Sequence, residues 1–209
     1  MSNEQNAAEQ AERIAAEGSS VRERVRGLVE DALAGRGAGV IKDVPGEVME
    51  GVIKGVKGLA DDRRGTVLAD AIGGIGDGLA SAANATKLAV EEAESRGEAF
   101  AKDDLKQTAD DLRSLQDMLG ETLGGLAEKA QHELGESAGD LASHAERAGA
   151  SFMPAIESAL QAITDHPGKA GADAASAGTD AATRGIGALF DAAGGLMKGL
   201  TDPGDAKKK

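Results

Sequence analysis

Between Leu112 and Ile163 apolar residues recur every eleven positions, and this is the strongest periodicity in the chain. Offsets 0, 3 and 7 collect Leu112, Leu115 and Leu119; Leu123, Leu126 and Ala130; Leu134, Ser137 and Leu141; Ala145, Ala148 and Phe152; and Ile156, Ala159 and Ile163. Fourteen of the fifteen are apolar, where a chain that is 41% hydrophobic would supply about six by chance. The spacing predicts one long amphipathic helix over 98–165, heptad-like from Leu105 to Leu119 and then repeating at about 3.67 residues per turn, which keeps it nearly straight. Pro154 predicts a kink, because proline removes a helical hydrogen bond and crowds the preceding turn, yet Ile156, Ala159 and Ile163 stay in phase beyond it. Adding offsets 4 and 8 gives twenty-five positions, none of them charged. They cover an arc of about 130°. Arg113, Asp117, Glu121, Glu128, Lys129, Glu133, Glu136, Asp140, Glu146, Arg147, Glu157 and Asp165 all fall on the other arc. The dry side needs a cover.

The same periodic reading divides the rest of the chain. Residues 1–20 are polar and predict a disordered or frayed helical N-terminus. A Gly-rich helical region follows over 21–97, with helices at about 21–34, 44–60 and 66–96. Ser20 with Glu23 has the form of a capping box for the first, and Gly35, Gly37 and Gly39 end it. Val44, Val48, Val52, Val56 and Leu59 mark the second; β-branched Val also suits a strand, but there is no alternation of period two. Asp61 to Gly65 reads as a charged break. Beyond the long helix, 166–184 is a linker or loose helix, 185–201 a C-terminal amphipathic helix built on Ile186, Leu189, Phe190, Ala193, Leu196, Met197 and Leu200, and 202–209 a disordered basic tail. The fold class expected is all-α: an elongated helical bundle with a long central helix carrying the eleven-residue repeats, and disordered termini.

Composition changes this picture in one respect. The 209 residues include no Trp, no Tyr and three Phe, but 30 Gly, so any core is thin and its helices pack closely or weakly. The net charge of −13 argues against a nucleic-acid partner, which needs clustered Lys and Arg. The only basic run is Lys207-Lys208-Lys209, a solvated tail. The absence of Cys is compatible with a reducing cytoplasm, the first twenty residues lack the features of a signal peptide, and no apolar run is long enough for a transmembrane segment.

Candidate chemistry is sparse. Ile72-Gly73-Gly74-Ile75-Gly76-Asp77-Gly78 invites a dinucleotide-loop reading, but Leu79 stands where the last Gly should be and no strand precedes it. Close helix packing through Gly74 and Gly78 is the better reading. His132 and His144 lie too far apart on one helix to share a metal, and each has a carboxylate four residues before it, Glu128 and Asp140, as in ordinary helix-surface pairs. Asp103-Asp104 and Asp110-Asp111 lack calcium-loop spacing. No catalytic, cofactor or metal residues are expected, and the protein reads as non-enzymatic.

Three things can cover the dry arc: the chain's own helices, another copy, or a non-protein apolar surface. The acidic opposite face disfavours anionic phospholipid, since helices on such lipid carry Lys and Arg there. The run from Leu105 to Ile163, stretches such as Leu126-Ala127-Glu128-Lys129-Ala130, and the acidic, cysteine-free composition resemble phasins, the Ala-rich bacterial proteins that coat polyhydroxyalkanoate granules. The resemblance covers the second half of the chain, and the Gly residues before position 80 depart from it. It implies a non-catalytic, cytoplasmic, granule-surface role with self-association, on a neutral hydrophobic polymer or lipid. The eleven-residue period also resembles apolipoprotein-like and desiccation-protection proteins. The alternative expectation is an autonomous bundle or homo-oligomeric coiled-coil scaffold or stress protectant.

Overall fold

The computed structural model describes residues 3–34, 43–95, 102–135 and 141–166, and among these the protein is all-α, with six helices and no strand. They are α1 (Asn3–Glu17), α2 (Val21–Ala34), α3 (Val44–Val56), α4 (Asp61–Ser95), α5 (Lys102–Leu134) and α6 (Leu141–Asp165). The expected features over 167–209 lie outside the described residues, as does the Gly35–Gly39 linker.

Two boundaries differ from expectation at the N-terminal end. Residues 3–17 form a helix rather than a frayed tail, with Ala7, Ala11, Ile14 and Ala15 buried at helical spacing. Small side chains give this stripe little hydropathy, but they let α1 lie directly on α3. The charged segment at Asp61 to Gly65 is the first turn and a half of α4 instead of a break. Asp61 and Asp62 favour the positive end of the helix dipole. Arg63 donates to the Gly18 carbonyl at 3.1 Å, and Arg64 donates to the carbonyls of Val56 and Lys57, both at 3.2 Å. Two arginines at the start of α4 thus satisfy acceptors at the ends of α1 and α3.

The long helix expected over 98–165 is two helices. Gly135 has φ +60°, a left-handed conformation that a residue with a Cβ adopts only at a cost, and it ends α5. Pro154, by contrast, lies inside α6 without ending it. Pro154 and Ala150 are both exposed, so water can satisfy the carbonyl that the proline leaves without a helical donor. The apolar phase carries across the break while the helix does not.

Most of the packing joins helices two apart in sequence: α4 with α6, α1 with α3 and α2 with α4, followed by α5 with α6. All three of the former pairs run parallel. Gly51 lies against Ala8 and Gly55 against Glu12, four residues further along each helix. Gly74 meets the Arg22 carbonyl, and Gly78 the Arg26 carbonyl, again four residues on in both. Between α4 and α6, Gly76 touches Ala148, and eighteen residues further along both helices Glu94 pairs with His166. At 1.5 Å per residue that register is kept over about 27 Å. The core is one cluster running through all six helices, with α4 at its centre between α2 and α6. Among the described residues no helix is long and apolar enough to cross a membrane.

Candidate functional site

The only functional surface that the sequence nominates is the apolar stripe, and the structure places most of it indoors. Leu112, Ala130, Leu141, Ala145, Ala148, Phe152, Ile156, Ala159 and Ile163 are all buried. The side chains of Leu115, Leu119, Leu123, Leu126 and Leu134 lie outside the described set. On α6 the stripe is the face that packs on α4, where Ala148 sits against Gly76; a Cβ at Gly76 would stand 3.0 Å from the Ala148 methyl. The opposite face is wet: Glu146, Arg147, Glu157 and Asp165 are exposed, as is Glu128 on α5. Among the described side chains Leu88 is the one large hydrophobic group left outside, 51% exposed.

The glycine pair Gly74 and Gly78 packs α4 on α2, as its spacing predicts. A Cβ on Gly74 would reach 2.5 Å from the Arg22 carbonyl oxygen, and one on Gly78 would reach 2.8 Å from the Val29 Cβ. The same seam is tied between these two glycines by a fork: Arg22 donates from Nε and Nη2 to the two carboxylate oxygens of Asp77 at 2.7 and 3.0 Å. Asp77 holds the Arg22 guanidinium above its ordinary pKa, first by that hydrogen bond and then by charge. Sequence reasoning missed the equivalent seam between α1 and α3. Its signal was available in Gly51 and Gly55, which repeat the spacing of Gly74 and Gly78, and in Ala8, Ala11 and Ala15 across from them.

Among the described residues, titratable groups do not converge on one centre. Among the described residues no group of three or more His, Asp or Glu side chains is placed to hold a metal ion. His132 is exposed on α5 and His144 half-buried on α6, so the two are on different helices. His166 Nδ1 lies 3.0 Å from Glu94 at the end of the α4–α6 seam. Among the described residues Asp111 is the carboxylate with a disturbed environment: burial, and secondarily the charge of Asp110, lifts its pKa above the usual value. Its Oδ2 is buried without a hydrogen-bond partner. Chemically, this arrangement hides apolar surface and presents charge outside.

The model of one protein family, described as a family of unknown function (DUF6781), matches residues 1–203. No curated protein and no solved structure matches the chain.

Proposed function

We propose, for a chain that belongs to the DUF6781 family of unknown function, a non-catalytic structural role as a self-sheltering helical bundle that acts as a scaffold. The observation that carries this reading is the fate of the stripe on α6. Its seven positions from Leu141 to Ile163 are buried against the chain's own helices, so this apolar face already has a protein cover. The exposed acidic side of the same helix then serves solubility in a chain with a net charge of −13.

A second reading, a phasin-like coat on a neutral hydrophobic polymer, is supported by the shallowness of the α6 contact. Five of the nine buried residues of α6 are Ala, which contribute little burial energy compared with Leu or Phe. Lifting α6 and its partners from α4 onto an uncharged apolar surface would therefore cost less than in a core of large side chains. Flotation of the full chain with a neutral polyester or triacylglycerol emulsion separates the two. On the scaffold reading the protein stays below the droplets and light scattering gives one discrete species. Quantitative recovery with the floating droplets would defeat that reading in favour of the coat.

A further inference from the structure

We propose that the C-terminal amphipathic segment, residues 185–201, docks on the part of α4 that α2 leaves open around Leu88. This goes beyond the scaffold reading and does not depend on it. The seam of α4 that meets α2 continues from Gly74 and Gly78 through Ser81, Ala85, Leu88 and Glu92, all within about 40° of one line along the helix. Burial falls off along it: Gly74 and Gly78 are buried, Ser81 and Ala85 half-buried, and Leu88 is 51% exposed. The register explains why. With Arg22 at Gly74 and Arg26 at Gly78, the last residue of α2, Ala34, falls level with Thr86. Helix α6 cannot serve, because it lies on the opposite side of α4, where Gly76 meets Ala148.

Three features make the C-terminal segment the occupant. The described chain ends at His166, which is paired with Glu94, six residues or about 9 Å along α4 from Leu88. The eighteen residues of 167–184 are ample to turn back from there. The stripe of Ile186, Leu189, Phe190, Ala193, Leu196, Met197 and Leu200 is uncharged, and the neighbouring Gly194-Gly195 permits the close approach that the α1–α3, α2–α4 and α4–α6 seams use. Charge permits it as well. Residues 185–201 carry one Lys against one Asp, so no net like charge opposes docking beside the exposed Glu91 and Glu94 at the end of α4.

The absence of native cysteine gives a direct test, because two introduced thiols are the only ones in the molecule. The full chain carrying Leu88→Cys and Ala193→Cys is compared with one carrying Leu88→Cys and Asp191→Cys under a mild oxidant, scored by non-reducing electrophoresis. The two tethers differ by two residues, so an undocked segment closes both at nearly the same rate. Docking through the stripe makes the intrachain disulfide at 193 form at least about tenfold faster than at 191, and the ratio falls to about one in urea. Equal rates without urea overturn the proposal. So does Leu88→Cys alone giving disulfide-linked dimers at a comparable rate, which would assign the face to a second copy.

Discussion

Replacing Gly51 with Ala tests whether α1 and α3 are held by backbone-to-backbone approach. A Cβ at Gly51 would overlap the Ala8 carbonyl oxygen and would lie 2.8 Å from the Ala8 carbonyl carbon and 2.9 Å from the Ala11 methyl. Ordinary contact for such a methyl begins near 3.4 Å. Two of the three atoms are backbone, so no side chain can swing away, and the helices must part. Overpacking of this kind costs about 1–3 kcal/mol, and separation also loosens the Gly55 contact with Glu12 one turn on. Against it stands the gain of about 1 kcal/mol from replacing Gly by Ala inside a helix. The expected net effect of Gly51→Ala is a loss of roughly 1–2 kcal/mol. Gly27, inside α2, has nothing within 4 Å of its would-be Cβ, so Gly27→Ala retains only the gain and should stabilise by up to about 1 kcal/mol. Urea unfolding followed by circular dichroism measures both. Since α1 is the first helix, it can relieve the strain by lifting off locally, and amide exchange across Ala7 to Ala15 should then accelerate in Gly51→Ala alone. Equal stability of the two variants, with unchanged exchange in α1, would refute the reasoning.

On α6, Ile156 is fully buried and Glu157 exposed. Ile156→Glu buries an unpaired charge and should abolish cooperative thermal unfolding, whereas Glu157→Gln should leave the melting temperature within about a degree; similar behaviour would put the stripe out of register. Asp111 has a raised pKa in the folded chain, chiefly through burial and then through Asp110, so its contribution to stability is fully present below the ordinary value of 3.8 and is lost as pH rises through the folded value. Asp111→Asn should therefore flatten the fall in stability on going from about pH 4 to neutral, measured by melting at intervals of half a pH unit, and an unchanged slope would show that the carboxyl is not desolvated.

The helical class, the start of α2 at Val21 and of α3 at Val44, and the packing role of Gly74 and Gly78 were all legible, because each rests on a local pattern: apolar spacing, Pro45 in the first turn of α3, two glycines one turn apart. The break at Gly135 was not. The apolar residues on its two sides keep the eleven-residue count, so periodicity alone sees one helix, and only the backbone shows that a left-handed residue interrupts it. For α1 the difficulty was of another kind. Ala7, Ala11 and Ala15 carry so little hydropathy that the stripe looks polar, although a small residue is what a glycine seam requires opposite it.

The parallel pairing of α1 with α3, α2 with α4 and α4 with α6 explains why glycines stand on the packed faces of α3 and α4. The most extended contacts fall between helices two apart, with α5 against α6 the one sequence-adjacent pair that approaches them, while Arg63 and Arg64 at the start of α4 tie down the ends of α1 and α3. With no Trp or Tyr to fill a wide gap, those contacts gain their burial by bringing backbones together, and Gly51, Gly55, Gly74, Gly76 and Gly78 are the points of approach. Each costs helix propensity, about 1 kcal/mol relative to Ala, which only the partner helix offsets. It follows that single helices from this chain should be weakly ordered and that order should arise cooperatively between layers. A peptide of 61–95, with its five interior glycines at 65, 73, 74, 76 and 78, should show little helix by circular dichroism; strong helicity in isolation would mean that the seams are a result of helix formation and not its cause.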